Sequence, residues 1–312
     1  MATGEDKSKD APEGRFSQRL ADMAFNAFIG TIRLLPARQR LGLAGWATRK
    51  CLAPPLGWYK RVYANLDLVW PDTPTERKHE IAEQAIDNLA RALIENYDPK
   101  EMLARGSRYP LTGPGLPALE EARAAGRPVL LISGHYGSPV LPRAALLARG
   151  YQTAGFLRAM SNPYMNNRYV QNYRDVGGEM FVQGRRGTLG LMKYLRGGGM
   201  AAMLFDVFES SGELIDFLGQ PAPTATSPAE IALRTNALLL PYFGIRRADR
   251  YGFDAVFEEP VPHTDPVTMM AEVTARLEAR IEEDPGQWMW THRRWKPKRV
   301  AKHRPAEATT SD

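Results

Sequence analysis

The chain has 312 residues, 44% of them hydrophobic and 24% charged, which suffices for one large folded domain and excludes general disorder. Its single cysteine, Cys51, excludes a disulfide framework and a cysteine-based zinc site, and it fits a reducing compartment. The 41 lysines and arginines outnumber the 35 acidic residues and give a formal net charge of +6. This surplus favours an anionic partner: nucleic acid, anionic lipid or an acidic carrier protein.

The N-terminal segment begins with polar and charged residues, which predict a disordered tail over residues 1–14. A charge-free run from Met23 to Ile32 follows, and it is too short to span a membrane. Large apolar residues here recur at the spacing of one helix face: Phe25, Phe28, Ile29, Ile32 and Leu35. Basic residues flank this face: Arg33, Arg38, Arg40, Arg49, Lys50, Lys60 and Arg61. Two interpretations fit equally well, a helix in an anionic lipid interface and a core helix of the same domain.

After this segment, helical and strand patterns alternate along the chain. Helices are predicted over 75–97 (capped by Thr75), 116–125, 140–148, 163–175, 189–196 and 229–235. A last helix, capped by Asp265-Pro266, has the inner face Met270, Val273, Leu277 and Ile281. Strands are predicted over 129–132, 153–157, 179–182, 200–205 and 238–244, with 253–257 as an edge strand. The alternation predicts an α/β domain with a central, mostly parallel sheet flanked by helices.

Three polar residues directly follow predicted strands: His135, Arg158 and Asp206. The carboxyl ends of parallel strands meet at one edge of a sheet, which predicts a site there. A histidine in that position can act as a general base near neutral pH. An arginine can hold an anionic group or a carbonyl oxygen, although a surface arginine is the simpler interpretation of Arg158 taken alone. Glu209, one turn after Asp206, is the weaker of the two acidic candidates.

Several segments together resemble a known family. Ser133-Gly134-His135-Tyr136-Gly137 resembles the histidine motif of lysophospholipid acyltransferases, and more narrowly of the lauroyl/myristoyl-type acyltransferases of lipid A biosynthesis. Further matching segments follow the family's order over nearly the whole chain after the tail. They are Tyr63-Ala64-Asn65-Leu66 with Trp70-Pro71, Arg158 with Asn162-Pro163, Asp206, 217–222 with 224–228, and 287–290 with 292–296. The glycine-rich loops form neither a P-loop nor a dinucleotide fingerprint.

The resemblance implies an O-acyltransferase that needs no cofactor or metal. It implies transfer of a fatty acyl chain from acyl carrier protein or acyl-CoA to a hydroxyl of a membrane lipid. The implied catalytic residues are His135, Arg158 and Asp206, and the expected substrate-binding residues are Tyr136, Gly137, Ser138, Asn162 and Glu209. It also implies a peripheral or monotopic protein on the cytoplasmic face of the bacterial inner membrane. We divide the chain into the first tail, membrane-associating helices over 15–62, the acyltransferase α/β domain over 63–300, and a disordered tail over 301–312.

One position departs from the family's pattern. The acid expected five residues after the histidine is replaced by Val140, which follows Pro139. Another carboxylate can orient the imidazole, with Asp206 first and Glu209 second; His135 can work unaided; or catalysis is lost and the chain is an inactive, lipid-binding relative. We favour a substitute carboxylate, because loss of the reaction leaves no reason for three polar residues to follow strands. The departure also suggests an acceptor other than the usual lipid A precursor, such as a lyso-aminolipid.

A C-terminal cluster mixes aromatic and basic residues: Trp288, Trp290, Trp295, Arg293, Arg294, Lys296, Lys298 and Arg299. Such a cluster predicts a docking surface for an acidic carrier protein, coenzyme A or anionic membrane. The alternative is that the tryptophans pack inside and the charges face solvent, which we favour for the last few residues. Nucleic-acid binding rests on net charge alone and has no supporting motif, so no nucleic-acid partner is expected.

Overall fold

The predicted apolar runs form the central sheet of a computed structural model that describes residues 14–296. Within that range seven strands pair into one sheet, and two more form a separate hairpin. The sheet strands are β1 Leu111–Thr112, β2 Val129–Ser133, β3 Thr153–Leu157, β4 Met180–Val182, β5 Met200–Leu204, β8 Leu238–Arg246 and β9 Phe253–Phe257. The hairpin strands are β6 Glu213–Phe217 and β7 Gln220–Thr224.

The sheet has the order β1-β9-β8-β2-β5-β3-β4. Strands β8, β2, β5, β3 and β4 run parallel, and β9 is antiparallel to β8. The predicted α/β class with a mostly parallel sheet is therefore confirmed. The prediction of 253–257 as an edge strand is wrong, because two-residue β1 pairs with the outer side of β9.

The register of three neighbouring strands places the predicted site at one edge. Ser133 at the end of β2 lies opposite Leu204 at the end of β5, and Gly155 of β3 lies opposite Ala202 of β5. The chain therefore leaves all three strands at the same edge, since they run parallel. The residues that follow them come together there, as the alternation of elements predicts.

Eleven α-helices surround the sheet in the described range, together with a π-helical turn over Thr48–Leu52 and a short 3₁₀ turn over Pro285–Gln287. They are α1 Phe16–Ile32, α2 Ala37–Ala47, α3 Trp58–Val69, α4 Thr75–Glu95, α5 Pro99–Arg108, α6 Leu116–Ala124, α7 Leu141–Leu147, α8 Pro163–Gly177, α9 Arg185–Arg196, α10 Ser227–Thr235 and α11 Pro266–Glu283.

Alternate residues of each buried strand pack into two core layers on opposite faces of the sheet. In β2, Leu130 and Ile132 join the layer of α3, α4, α9, α10 and α11, whereas Val129 and Leu131 join that of α5, α6, α7 and α8. Because both faces are covered, β2 is buried throughout, and residues 129–132 are apolar without polar alternation.

The ends of two helices test the capping predictions. Asp265 accepts hydrogen bonds from the backbone N–H groups of Val267 and Thr268 at 3.0 Å each, so its capping role is confirmed. The predicted capping role of Thr75 is wrong, because Thr75 is already helical and Pro74 occupies the cap position.

The sequence predicts no strand between 205 and α10, yet this segment contains the β6–β7 hairpin. The strands are joined by Leu218 and Gly219, which both have positive φ angles, 54° and 73°. Such a two-residue turn matches the twist of a hairpin. Pro221 and Pro223 conceal the second strand from sequence analysis, since proline weakens a strand signal.

The N-terminal helices bury part of their predicted apolar face and leave part of it exposed. Ile29 and Ile32 are buried in a small core with α2 and the end of α4, and Phe25 packs edge-on against Tyr97 with ring centres 4.9 Å apart. Phe28, predicted on the same face, is 42% exposed. No helix of residues 14–296 is long and apolar enough to cross a bilayer. The predicted tails over 1–14 and 301–312 lie, apart from Gly14, outside the described residues.

Several basic residues predicted to flank this helix form intramolecular ion pairs. Arg38 pairs with Asp249, Arg40 with Asp98, and Arg49 with Glu83. The positive charge expected to face lipid is therefore partly neutralised by the protein itself, while Lys60 remains exposed.

Candidate active site

His135 and Asp206 form the polar centre of the site. The carboxylate Oδ1 of Asp206 lies 2.7 Å from Nδ1 of His135, and its Oδ2 accepts the backbone N–H of His135 at 2.8 Å. The His135 side chain is 34% exposed, whereas that of Asp206 is 1% exposed. An accessible imidazole is thus held by a buried acid.

Asp206 is held as a carboxylate by its surroundings. Its Oδ2 also accepts a hydrogen bond from the indole N–H of Trp288 at 2.8 Å. Burial alone raises the pKa of Asp206, but the charge of His135 and the hydrogen bonds from His135 and Trp288 lower it to about 2. The acid is therefore ionised at neutral pH and is available to balance a positive imidazole.

The same contact sets the chemical state of His135. A carboxylate at Nδ1 binds an N–H there, which leaves the lone pair on Nε2. Burial lowers the pKa of His135, but the charge and hydrogen bond of Asp206 outweigh it, and the net shift is upward from 6.5. This is the arrangement by which a carboxylate orients a histidine that accepts a proton from a hydroxyl.

Of the two candidate substitute acids, the structure brings Asp206 to the histidine. Glu209 lines a cavity next to His135, but its carboxylate accepts hydrogen bonds from the backbone N–H and the hydroxyl of Ser211. Val140, at the position of the missing acid, is 5% exposed and stands at the start of α7.

Two cavities meet at His135. The larger, of about 430 Å³, lies over the carboxyl ends of β2, β5 and β3, with Arg158, Glu209 and His292 among its lining residues. The smaller, of about 160 Å³, runs between α4 and the loop after β2, and has an apolar lining that includes Leu89, Leu93 and Met289. Both cavities are also lined by Pro139, Val140, Tyr169, Tyr173 and Leu204. Val140 thus presents a hydrocarbon surface where the two spaces adjoin.

The remaining predicted site residues fall into two groups. Arg158 is exposed and lines the larger cavity, and Gly137 and Ser138 line the smaller one. Tyr136 is 1% exposed, and its ring packs edge-on against Phe243 in the core. Asn162 caps α8, and its amide donates to the Gln18 carbonyl at 2.9 Å. Tyr136 and Asn162 therefore line neither cavity: Tyr136 packs in the core, and Asn162 joins α8 to α1.

Gly137 occupies a position where a side chain is excluded. Its φ angle is 56°, and a Cβ atom there would lie 2.0 Å from the Gly244 carbonyl oxygen. The next residue, Ser138, donates its hydroxyl to buried Glu95 at 3.0 Å. The loop after His135 is thus tightly docked on β8 and α4.

The C-terminal aromatic cluster is part of the core. Trp288, Trp290 and Trp295 are at most 5% exposed, and buried Arg294 donates to the Pro223 carbonyl and the Thr224 hydroxyl. The tryptophans are therefore packed inside, as the alternative expects, and do not form a docking surface, whereas the buried Arg294 departs from both expectations. Arg293 is exposed, and Lys298 and Arg299 lie outside the described residues.

Sequence reasoning missed how the C-terminal segment positions the histidine. Trp288 reaches Asp206, and the Met289 N–H donates to the His135 carbonyl at 3.1 Å. The side-chain amide of Asn88 donates to the carbonyls of Gly137 and Gln287 at 3.0 and 2.8 Å. The resemblance of 287–290 to a family signature was the available signal, but it carried no information about partners.

Asn65 and His292 belong to two other segments that resemble the family, and their contacts show what these segments do in the fold. The Asn65 amide donates to the carbonyls of Trp290 and His292, so the early segment holds the C-terminal one. The imidazole of His292 lines the larger cavity and accepts the Phe208 N–H on Nε2 at 3.0 Å. Burial lowers the pKa of His292 to about 4, so this second histidine is neutral at physiological pH.

The family model for bacterial lipid A biosynthesis acyltransferases matches residues 8–297. The chain belongs to this family. The acyltransferase is 24% identical over 247 residues to a lipid A biosynthesis lauroyltransferase of Escherichia coli, covering 76% of this chain and 78% of the relative. It is also 24% identical over 301 residues to a lipid A biosynthesis acyltransferase of Haemophilus influenzae, covering 87% and 92%.

Introducing an acid at the departing position of this acyltransferase is expected to be harmful. Val140→Asp places a carboxylate at a 5% exposed position among the apolar groups where the two cavities adjoin, and burial there disfavours its charge, while Nδ1 of His135 is already bound to Asp206. We expect a lower melting temperature and at least ~10-fold lower kcat/KM for the variant. A tenfold loss corresponds to a cost of the misplaced charge of about 1.4 kcal/mol. Val267→Asp, at an exposed valine in the first turn of α11, is the matched control. A faster Val140→Asp enzyme would contradict the assignment of Asp206 as the partner acid.

Proposed function

We propose that this acyltransferase moves a fatty acyl chain from the thioester of acyl carrier protein or acyl-CoA to a hydroxyl of a membrane lipid. The observation that carries the proposal is the His135–Asp206 pair at the junction of two cavities. A base held by a carboxylate is what deprotonation of an alcohol requires. Two adjoining spaces are what a reaction between two substrates requires.

In the proposed reaction, Nε2 of His135 takes the proton of the acceptor hydroxyl as its oxygen attacks the thioester carbonyl carbon. Asp206 stabilises the imidazolium that forms. The tetrahedral intermediate then collapses, the carbon–sulfur bond breaks, and the imidazolium returns the proton to the leaving thiolate. An ester and a free thiol result, and the enzyme regains its starting protonation state.

The linings of the two cavities suggest which substrate part each one holds. Burial of a hydrocarbon tail is favourable in the smaller cavity, where Leu89, Leu93 and Met289 contribute apolar surface. The larger cavity has basic, acidic and aromatic hydroxyl groups, which suit a polar headgroup. We assign to Arg158, at the exposed part of this cavity, contact with an anionic group of donor or acceptor.

The acceptor is proposed to be a lipid A precursor or a lyso-aminolipid. The two relatives are named for lipid A biosynthesis, which favours the first. Val140 at the junction favours an acceptor bound in a different way from the family's usual one. Incubation of the purified protein with acyl-carrier thioester and either lipid A precursor or total lyso-lipid extract separates these acceptors through thiol release and mass spectrometry of the product. Absence of thiol release with every acceptor would support the inactive, lipid-binding alternative.

We further propose that the N-terminal helices lie on the cytoplasmic face of the bacterial inner membrane. Phe16, Leu20 and Met23 share one face of α1 and are 82%, 56% and 58% exposed. Nearby chain adds further exposed apolar side chains: Leu34, Leu43, Trp46, Leu52 and Leu56. Apolar side chains in such number at one end of the chain suit burial in a lipid interface.

Removal of this apolar face should weaken membrane binding. We expect the double variant Leu20→Ser, Met23→Ser to bind phosphatidylglycerol-containing vesicles at least ~10-fold more weakly, since each fully buried side chain of this size contributes about 1.5–3 kcal/mol. Vesicle co-sedimentation measures the change. Leu189→Ser, at a 59% exposed leucine of α9, is the matched control. Equal sedimentation of the double variant and the wild type would contradict the placement.

A further inference from the structure

Arg143 of α7 is a buried cation that contacts only uncharged groups. It is 2% exposed; its Nη2 donates to the Thr153 carbonyl at 2.8 Å and its Nε to the Thr153 hydroxyl at 3.3 Å. Its guanidinium carbon lies 5.5 Å from the centre of the Tyr173 ring. Among residues 14–296, no carboxylate forms an ion pair with it.

Three of the other four buried arginines of the described chain form ion pairs: Arg105 and Arg246 share Glu95, and Arg40 pairs with Asp98. The fourth, Arg294, donates to the Pro223 carbonyl and the Thr224 hydroxyl, and it does not line the cavity at His135. A buried charge without an ion-pair partner costs several kcal/mol. Burial accordingly lowers the pKa of the Arg143 guanidinium. A ligand that brings a negative charge to Arg143 would offset this cost.

Arg143 lies where a bound ligand can supply a negative charge. Arg143 lines the same cavity of about 430 Å³ as His135, a size typical of ligand sites. Its Nη1 makes no hydrogen bond within the described range. This nitrogen is also not one of the unpaired polar atoms there that are completely shielded from solvent. Tyr169, Tyr173 and Tyr242 also line this cavity. A guanidinium nitrogen thus remains available to a ligand that occupies the space.

We propose that Arg143 binds an anionic headgroup of the acceptor lipid, a sulfonate, phosphate or carboxylate, in the buried part of the cavity that also holds the acceptor hydroxyl at His135. This inference deepens the proposed function and rests on it. The acceptor is favoured over the donor because its hydroxyl must reach His135, which lines the same cavity. The phosphate of a phosphopantetheine arm stays nearer the carrier, on the outside. Exposed Arg158 is the residue better placed for it.

The proposal can be tested by binding alone, so that its failure is distinguishable from failure of acyl transfer. Submicellar octane-1-sulfonate, octyl phosphate, octanoate and 1-octanol are titrated calorimetrically into the full-length protein, together with 4′-phosphopantetheine. At least one of the three anionic amphiphiles should bind at least ~10-fold more tightly than octanol, the effect of a charge-assisted hydrogen bond in a buried site. Equal affinities of all amphiphiles for the wild-type protein would overturn the proposal.

Four variants locate the effect. Arg143→Met should remove the preference for anions, and Arg143→Lys should retain most of it. Arg127→Met, at an exposed arginine that donates to the Asn236 carbonyl away from the cavity, is the matched control and should bind like the wild type. Should Arg143→Met fail to fold, Arg158→Met decides the question. An anion preference that survives loss of Arg158 supports the buried site, and one that disappears with Arg158 overturns it. Binding of 4′-phosphopantetheine that depends on Arg143 would overturn the assignment to the acceptor.

Discussion

His135→Ala is expected to abolish acyl transfer, because no other described side chain at the site combines a free nitrogen lone pair with a carboxylate that orients it. The second histidine of the cavity, His292, has its Nε2 occupied by the Phe208 N–H. Loss of a general base lowers a rate by about 10²–10⁴-fold. The measurement is release of free thiol from an acyl-carrier thioester in the presence of a lyso-lipid extract.

The control for this variant is His263→Ala. His263 is exposed and lies 2.9 Å from the Ala237 carbonyl, at the opposite end of the sheet from the site. It should turn over like the wild type. Turnover near the wild-type level in His135→Ala itself would show that the proposed mechanism is wrong, since the reaction would then proceed without its base.

Asp206→Ala should lower kcat by at least ~100-fold, the scale of a lost acid/base or orienting group. Asp206→Asn, which keeps the shape of the side chain, should also change the pH profile. Histidine acts as a base only when it is unprotonated, so wild-type activity should rise as pH increases through the raised pKa of His135. Without the negative charge, the pKa of His135 falls, and the rise should move to lower pH.

This shift separates a positioning carboxylate from a merely structural one. A variant that is only destabilised loses active protein at all pH values and keeps the midpoint of its profile. Asp216→Asn, at an exposed residue of the β6–β7 hairpin, should alter neither rate nor midpoint. An unchanged rate in Asp206→Ala would remove Asp206 from the site, and an unchanged midpoint in Asp206→Asn would remove its electrostatic role.

The most reliable sequence signals were short apolar runs followed directly by polar residues. The strand 153–157 and the capped helix after Asp265 appear where the sequence places them, because each depends on local chemistry. The hairpin over 213–224 was missed because its proline-containing strand pairs only with a neighbour. The C-terminal tryptophans were open to two interpretations because aromatic and basic residues alternate similarly in an interface and in a core.

The contacts of His135 with its partner acid could not be predicted from the local sequence. Asp206 is 71 residues away from His135, and the sequence ranked it first because it follows a strand and matches the family's order. Trp288, which donates to the same carboxylate, is 82 residues beyond Asp206 and was given a different role. Neither contact can be predicted from the separation of the residues along the sequence, since both depend on which strands are neighbours in the sheet.

The order of apolar runs and turns by itself determined the α/β class, the strand ends and the three polar residues that follow them, His135, Arg158 and Asp206. These follow from hydrophobic periodicity and backbone preferences, which act over a few residues. Only the tertiary structure decided that Asp206 meets His135, that Arg143 lies in the cavity without a counter-charge, and that the tryptophans are buried. Those outcomes depend on strand order and on the packing of helices across the sheet, where residues distant in sequence come into contact.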